Sequence, residues 1–284
     1  MEQWKYSQTP WNDIKDISKL TYLVYDYAKH WKINEISNLD EFIQNNKNNE
    51  ELGEQDQIML RTIRDQYPEG EVLNFFSNKA DLQCVIGKNP HKKRYSIIFR
   101  GSESVWDWVY DMMIIKKTLF NNVQVHSGFY NQLTYNNTFQ RIILYITDLI
   151  NENPTWEWYI GGHSLGGALS TLAGFLLSRQ FKKVRWTVVS LASPRVGNND
   201  FKSSFENQAN LRSYRLCNNK DTIPGFPMFY YCHVGISLHF NKNQQQWIEH
   251  GYIPDFSYYF YNLYNPWDHM CSAYMKATNL LPDI

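Results

Sequence analysis

The chain has 284 residues, of which 43% are hydrophobic, 20% are charged and 16% are aromatic. A chain of this length buries enough surface on folding to need no disulfide or metal for stability. Its 28 basic and 28 acidic residues balance, without a long block of one sign. This balance argues against a nucleic-acid-binding surface and against strong attraction to anionic membranes.

The apolar segments and the cysteines further limit the classes of protein to which the chain could belong. No stretch reaches the length of uninterrupted apolar sequence that a membrane span requires. The N-terminus leads into charged and polar residues without the apolar region of a secretory signal, so we expect an intracellular location by default, with secretion by another route left open. Cys84, Cys217, Cys232 and Cys271 lie far apart and without zinc-ligand spacing, which predicts reduced thiols.

The first 70 residues are expected to add a helical segment to one domain that extends over residues 1–284. Apolar residues recur near helical spacing from residue 9 to residue 32, which predicts an amphipathic helix. Thr9 before Pro10 is a typical helix start. Residues 33–56 are polar and rich in Asn and Glu, which indicates an exposed connection.

From about residue 72, short apolar runs alternate with longer segments of helical periodicity. The predicted strands are Leu82 to Gly87, Tyr95 to Phe99, Trp156 to Ile160, Val184 to Leu191 and Leu211 to Cys217, and the predicted helices are Phe139 to Ile150 and Ala168 to Leu177. This alternation predicts an α/β fold with a mostly parallel central sheet and helices on both faces. Such sheets place their functional sites at the carboxyl ends of the strands.

A G-x-S-x-G motif, Gly162 to Gly166, lies between a predicted strand and a predicted helix. A sharp strand-to-helix turn at this position exposes a serine hydroxyl and leaves no room for side chains at the two glycines. The strand before it and the Ala/Leu-rich helix after it separate this motif from an ordinary Gly/Ser-rich turn. We therefore predict Ser164 as a nucleophile. His163 should point away from the nucleophile in such a turn, which predicts a packing role.

Five stretches of the sequence resemble, in the same order, the class 3 lipases, which are the fungal triacylglycerol lipase branch of the α/β-hydrolase fold. They are Phe99 to Ser104 with Trp108 and Asp111, Val125 to Phe129, Gly161 to Leu169, Ser193 to Asn198, and Asn219 to Pro224. A sixth stretch, Asp268 to Tyr274, matches loosely. The resemblance implies an α/β-hydrolase fold and a serine ester hydrolase that acts on lipid or ester substrates at a lipid–water interface.

The acid of the triad should follow the nucleophile in the chain, just past a strand, and the histidine should follow the acid. Asp221 comes four residues after the predicted strand that ends at Cys217, and it lies in the Asn-x-Asp-x-x-Pro setting that resembles the family. The competing carboxylates are Asp200, Glu206, Glu249, Asp255 and Asp268. Asp200 and Glu206 fall in a predicted helix, and Asp255 is the main alternative.

Four histidines follow Asp221. His233 and His239 belong to the run Cys232 to Phe240, which predicts a strand, where histidines more often have structural roles. His250 precedes a glycine, which indicates a turn. His269 lies on a late loop that leads into a helix, where the resemblance places the catalytic histidine of the family. We favour His269 as the general base, with His233 as the alternative.

An oxyanion hole requires backbone N–H donors beside the nucleophile. The first predicted donor is the N–H of Leu165, directly after Ser164. The second comes from the loop after the strand Tyr95 to Phe99, where the resemblance implies Ser102. A Ser-His-Asp site with such donors needs no cofactor and no metal, and we expect neither.

The segment Ser104 to Ile115 follows the oxyanion loop. In the resembling lipases this segment is a short amphipathic lid over the site, and we predict Val105, Trp106, Trp108 and Val109 as lid residues. Val105, Trp108 and Val109 share one helical face. A helix packed permanently against the core is the alternative.

The leading hypothesis is the hydrolysis of acylglycerol esters through an acyl-enzyme intermediate. A phospholipase A1 or a small-ester esterase could use the same triad. A catalytically inactive lipid-binding protein on the same fold is the alternative from another class. The presence of Ser164, Asp221 and His269 in the right order argues against it, because a scaffold gains nothing from a strained serine turn.

Overall fold

The computed structural model describes residues 2–5, 7–27, 70–101, 115–227, 229–251 and 266–282. Within these residues eight strands form one sheet, in the order β1-β2-β3-β6-β7-β8-β9-β10. The strands are β1 Glu71–Ser77, β2 Gln83–Asn89, β3 Arg94–Phe99, β6 Glu157–His163, β7 Trp186–Leu191, β8 Leu211–Asn218, β9 Ile236–Asn241 and β10 Gln246–Gly251. Strands β4 (Lys116–Phe120) and β5 (Val123–His126) pair with each other in a separate two-stranded ribbon.

The centre of the sheet is parallel. Strands β3, β6, β7, β8 and β9 pair in parallel, whereas β1, β2 and β10 add antiparallel strands at the two edges. Parallel strands joined by helices bring their carboxyl ends to one edge of the sheet. The prediction of a mostly parallel α/β sheet is therefore confirmed, and the fold is that of the α/β-hydrolases.

Helices cover both faces of the sheet. The helices are α1 Glu2–Lys5, α2 Trp11–Tyr27, α3 Ser127–Thr134, α4 Thr138–Glu152, α5 Leu165–Gln180, α6 Asn199–Glu206 and α7 Cys271–Thr278. Residues of α3, α4, α5 and α6 form one hydrophobic core, and residues of α2 and α7 belong to a second. Neighbouring strand residues divide between the two: Ile97 and Ile160 lie in the first core, and Ile98 and Tyr159 lie in the second. Because successive strand side chains point to opposite faces, the two cores lie on opposite sides of the sheet.

The N-terminal helix α2 packs on the central strands through Ile14, Ile17 and Leu23. A buried arginine of β3, Arg94, donates hydrogen bonds to Asp13 at 2.7 Å and to Asp16 at 3.1 Å. The amphipathic pattern predicted a helix over residues 9–32, and the described helix covers Trp11–Tyr27. Residues 28–32 and the polar segment 33–56 lie outside the described residues.

The predicted strands and helices from residue 82 to residue 217 are confirmed, with boundaries that differ by at most three residues. Two predictions in the next part of the chain are wrong. The run Cys232 to Phe240 was expected to be a strand throughout, but β9 begins only at Ile236 because Gly235 adopts a φ of +74°, which an extended strand does not contain. His250 was expected in a turn, but it lies in β10, which pairs with β9.

In the described part of the chain, no helix has both the length and the apolarity needed to cross a lipid bilayer.

Candidate active site

The turn around Ser164 connects the carboxyl end of β6 to the first residue of α5. Ser164 has φ 56° and ψ −122°, a backbone conformation that residues with a side chain rarely adopt. Its backbone N–H donates to the carbonyl of Leu191 on the neighbouring strand at 2.9 Å. The turn therefore holds the serine in a strained conformation at the edge of the sheet, as the motif predicts.

Two glycines allow the strand and the helix to approach each other at this turn. A Cβ on Gly162 would lie 2.2 Å from the carbonyl oxygen of Gly166, and a Cβ on Gly166 would lie 2.3 Å from that of Phe99. Neither distance can accommodate a carbon atom, and the neighbouring atoms belong to the backbone. The two glycines are therefore required by packing.

The three residues predicted as a triad lie in hydrogen-bond contact. Nε2 of His269 is 3.0 Å from Oγ of Ser164, and Nδ1 of His269 is 3.0 Å from both carboxylate oxygens of Asp221. All three are buried, with exposed fractions of 1%, 4% and 5% for Ser164, His269 and Asp221. This is the order of contacts that a serine nucleophile, its base and an orienting acid require.

The three side chains come from separate parts of the fold. Ser164 follows β6, and Asp221 follows β8, two strands further along the sheet. His269 ends a single 3-10 turn, Pro266–His269, which precedes α7. The parallel sheet thus positions the first two groups, and the third is brought to them by a segment outside the sheet.

The carboxylate of Asp221 accepts two further hydrogen bonds. The hydroxyl of Tyr274 donates to Oδ2 at 2.6 Å, and the backbone N–H of Ile223 donates to Oδ1 at 3.0 Å. Burial raises the pKa of Tyr274 well above its usual value near 10, and the negative charge of Asp221 adds to this shift. Tyr274 is therefore a neutral donor, and both oxygens of Asp221 are bound by protein groups.

His163 lies behind the histidine of the triad. Its Nε2 is 2.8 Å from the carbonyl oxygen of His269, and the two imidazole rings are 4.9 Å apart between centroids. Burial lowers the pKa of His163 well below its usual value near 6.5, and the neighbouring His269 lowers it further. A neutral His163 therefore binds the backbone of the histidine segment, which is more than the packing role that the sequence predicted.

Two further candidate histidines, His233 and His239, lie in hydrogen-bond contact with backbone carbonyl groups. Nε2 of His233, the alternative base, is 2.7 Å from the carbonyl oxygen of Pro224. Nε2 of His239 is 2.9 Å from the carbonyl oxygen of Asn219. Both contacts are with the turn that carries Asp221. These two histidines therefore support the position of the acid, and the structure brings neither of them to Ser164 in a described hydrogen bond.

Among the described residues, one of the competing carboxylates contacts the turn that carries Asp221. Asp200 and Glu206 lie in α6, as predicted, and Glu249 on β10 accepts a hydrogen bond from Thr9. Asp255, the main alternative, lies outside the described residues. Asp268 directly precedes His269 and contacts the turn of Asp221.

Sequence reasoning considered Asp268 only as an alternative acid, and it assigned Tyr274 no role in the site. The spacing of Tyr274 from His269 carries no signal, and its partner Asp221 lies 53 residues away.

One of the two predicted oxyanion donors lies in the described structure. Leu165 is the first residue of α5, so its N–H belongs to the helix end at which the helix dipole is positive. Ser102 and the predicted lid residues Val105, Trp106, Trp108 and Val109 lie outside the described residues.

Comparisons with known proteins identify the family and the fold that this chain resembles. The family model of the class 3 lipases matches residues 96–231. A mono- and diacylglycerol lipase of Fusarium solani, named as secreted, is 29% identical over 55% of this chain and 46% of its own length. Phospholipase A1-II 3 of Oryza sativa subsp. indica is 28% identical over 54% of this chain and 43% of its own length. The solved structure of the Rhizomucor miehei lipase propeptide complex superposes with a TM-score of 0.68 at 17% identity, covering 89% of this chain and 76% of that one.

Over residues 96–231, just under half of the chain, the sequence is similar to the class 3 lipases, and the solved structure shows the same α/β-hydrolase fold. This chain spans about half the length of the curated relatives it matches. The name of the Fusarium protein differs from the intracellular default expected from the sequence. It describes that protein, and the location of this chain stays a prediction.

Proposed function

We propose that this protein is a serine carboxylic-ester hydrolase that acts on acylglycerols. The observation that supports it best is the pair of 3.0 Å contacts that connects Ser164 through His269 to Asp221. A strained backbone at Ser164 and a buried carboxylate with three donors serve nucleophilic catalysis, and they have no use in a lipid-binding scaffold.

The geometry supports a two-step reaction. Nε2 of His269 takes the proton of Ser164 as Oγ attacks the ester carbonyl, and the imidazolium then gives this proton to the leaving alcohol. Asp221 holds the Nδ1–H tautomer and stabilises the imidazolium. In the second step His269 takes a proton from water as the water oxygen attacks the acyl-enzyme carbonyl. The imidazolium then returns this proton to Oγ of Ser164 as the bond between Oγ and the acyl group breaks and the fatty acid leaves.

The negative charge of the tetrahedral intermediate needs donors beside Ser164. The N–H of Leu165 is one donor, at the start of α5. For the second we assign Ser102. Phe99, at the end of β3, pairs with Gly162 next to the turn of Ser164, so the chain leaves β3 near the proposed nucleophile.

The proposed substrate class rests on the similarity to the class 3 lipases and on the names of the relatives. The Fusarium relative is named as a mono- and diacylglycerol lipase, which favours acylglycerols for this chain. The rice relative is named as a phospholipase A1, which makes phospholipid hydrolysis the second candidate. We further propose that the segment carrying Val105, Trp106, Trp108 and Val109 acts as a lid that opens at a lipid–water interface.

The deciding experiment compares the wild type with Ser164→Ala on a panel of mono-, di- and triacylglycerols, phospholipids and small esters. We expect the wild type to hydrolyse acylglycerols and Ser164→Ala to lose nearly all of this activity while unfolding at the same temperature. Ser203→Ala, an exposed serine of α6, is the matched control and should keep full activity. If the wild type prefers phospholipids, phospholipid hydrolysis becomes the proposed activity in place of acylglycerol hydrolysis.

Labelling by a fluorophosphonate separates an enzyme from an inactive scaffold, because only an activated serine reacts. Labelling of wild type and Ser203→Ala but not of Ser164→Ala is expected, and equal labelling of all three would contradict the assignment.

The lid is tested with a short-chain triacylglycerol at concentrations on both sides of its solubility limit. A rate that rises no faster above the limit would argue against a lid that opens at an interface.

A further inference from the structure

The proposed triad depends on two turns that the sheet does not connect directly. Asp221 lies in the turn after β8, and His269 lies in the turn Pro266–His269, 48 residues later in the chain. Both hydrogen bonds of His269 must form at once, so these two turns must keep a fixed separation. A misplacement of about 1 Å in such a site can lower the rate roughly a hundredfold.

Asp268, the residue before His269, joins the two turns through its carboxylate. Its Oδ2 accepts a hydrogen bond from Nδ2 of Asn219 at 2.7 Å and from the backbone N–H of Lys220 at 3.2 Å. Asn219 and Lys220 directly precede Asp221. One carboxylate oxygen next to the histidine is therefore bound by the two residues next to the acid.

A further contact joins the same two turns, again with Asp268 as the acceptor. Nδ2 of Asn218 donates to the backbone carbonyl of Asp268 at 2.9 Å. Three donors from three successive residues thus converge on Asp268, which is only 3% exposed. Its other oxygen, Oδ1, lies 3.9 Å from Nζ of Lys242, whose side chain is 62% exposed. A buried carboxylate that accepts hydrogen bonds from amide and backbone donors is held more strongly than an exposed one, because water competes less for it.

The partner of Asp268 is itself held in place. Asn219 has a φ of 44°, in the left-handed region that asparagine tolerates better than most residues. Its backbone N–H donates to the carbonyl of Phe240 at 2.9 Å, and its carbonyl lies 2.9 Å from Nε2 of His239. Asp268 is therefore attached to a point that is fixed by β9, the edge of the parallel part of the sheet.

From these contacts we propose that Asp268 is a positioning residue, which fixes the distance between His269 and Asp221 by binding Asn219 and Lys220. It acts through His269 and does not touch the substrate. The proposal rests on the proposed function for its kinetic consequences, but the contact that it describes can be measured without a substrate.

The kinetic test compares Asp268→Ala with Asp268→Asn, with rates expressed per serine that a fluorophosphonate titrates. Asp268→Ala removes the acceptor, and we expect kcat to fall by about tenfold to a hundredfold with little change in KM. The amide oxygen of Asp268→Asn can still accept from Asn219 and Lys220, so this variant should keep most of the activity. Asp200→Ala, an exposed aspartate of α6, is the matched control and should keep the wild-type kcat.

Asn219→Gly tests the same contact by changing its donor. It removes the donor, and glycine suits the positive φ at this position. We expect its kcat to fall, and the double variant Asp268→Ala/Asn219→Gly to be no slower than the slower single variant, because both changes break one interaction. If Asp268→Ala does not fold, Asn219→Gly alone decides. A wild-type kcat in the variants that fold, or effects that simply multiply, would overturn the proposal.

A spectroscopic readout needs no substrate. The proton between Nδ1 of His269 and Asp221 gives a downfield NMR resonance when the two turns keep their distance. We expect this resonance in the wild type and in Asp268→Asn, and its loss in Asp268→Ala. An unchanged resonance in Asp268→Ala would refute the positioning role. If the wild type neither hydrolyses esters nor reacts with the fluorophosphonate, the proposed function fails, whereas this resonance still reports on Asp268.

Discussion

Tyr274 and Asp221 share a hydrogen bond of 2.6 Å between the phenol hydroxyl and Oδ2, although the two residues are 53 positions apart. The same hydroxyl accepts the backbone N–H of Asn218 at 2.9 Å. Tyr274 has no exposed surface, so water cannot replace either bond. The hydroxyl therefore connects α7 to the turn after β8 at the carboxylate that faces His269.

Tyr274→Phe should remove these two bonds without changing the shape of the core. Hydrogen bonds to charged groups contribute about 1.5–3 kcal/mol, and we expect the free energy of unfolding to fall by this amount in chemical denaturation. We also expect kcat/KM to fall roughly tenfold, because about 1.4 kcal/mol of lost support at Asp221 corresponds to a factor of ten. Tyr135→Phe, an exposed tyrosine, is the control. Equal behaviour of the two variants would show that the hydroxyl does not support the acid.

The buried His163 should make the free energy of unfolding depend on pH. Because burial lowers the pKa of His163 well below 6.5, the unfolded chain binds a proton below this pH that the folded chain does not bind. The stability contribution is therefore present above about pH 6.5 and is lost as the pH falls. Between pH 7.5 and pH 5.5 this single group should lower the free energy of unfolding by up to about 1 kcal/mol.

The measurement is chemical denaturation of the wild type and His163→Gln at both pH values. Glutamine has no titrating group, and its amide can donate to the carbonyl of His269. The variant should therefore lose less stability than the wild type on acidification, by up to about 1 kcal/mol. His91→Gln changes the same residue type at an exposed position and serves as the control. A wild-type pH dependence in His163→Gln would mean that His163 is charged in the folded state.

The nucleophile and the acid were accessible to sequence analysis because their signals are local. Ser164 lies in a five-residue motif that a strained turn requires, and Asp221 follows a strand at a short distance. The choice of His269 over His233 depended on family resemblance, since no local pattern separates a base from a structural histidine. The contacts of Asp268 and Tyr274 depend on residues about 50 positions away, so only the folded chain reveals them.

The start of β9 was predicted wrongly because it also depends on contacts that form only in the folded chain. Apolar residues alternate from Cys232 to Phe240, which is a strand pattern, but Gly235 lies so close to β8 that a Cβ would be 2.4 Å from the carbonyl of Ser213. This close approach is a property of the packed sheet, and the alternation of apolar residues contains no information about it. The pattern therefore predicted the strand correctly and its start too early.

Gly166→Ala tests whether the nucleophile turn depends on close packing. The new methyl group would meet the backbone carbonyl of Phe99, so the start of α5 must move away from the end of β3. We expect a loss of about 1–3 kcal/mol of stability from overpacking. We also expect at least a roughly hundredfold loss of kcat, because the N–H of Leu165 moves with the helix. Gly87→Ala, whose Cβ would have its nearest neighbours at 3.2 Å, is the control.

Activity and stability should both be measured for the two glycine variants. A Gly166→Ala protein that keeps the kcat of Gly87→Ala would show that the turn can shift without disturbing the oxyanion donor.

The last prediction concerns the attachment of α2 to the sheet. Arg94 is 2% exposed and binds Asp13 and Asp16 of α2, and Lys92 also contacts Asp16. Removing one partner of a buried ion pair typically costs about 3–5 kcal/mol, because the remaining charges lose their compensation. Arg94→Ala should therefore destabilise the protein by about this amount.

The matched control for Arg94→Ala is Arg185→Ala, which breaks a surface pair. Arg185 is 49% exposed in its side chain and lies 3.4 Å from Glu157, and such pairs contribute about 0–1 kcal/mol. The rate per titrated serine should be unchanged in both variants while they are folded, because neither arginine contacts Ser164, Asp221 or His269 in the described structure. Similar unfolding free energies for the two variants would mean that α2 is held by its apolar face alone, through Ile14, Ile17 and Leu23.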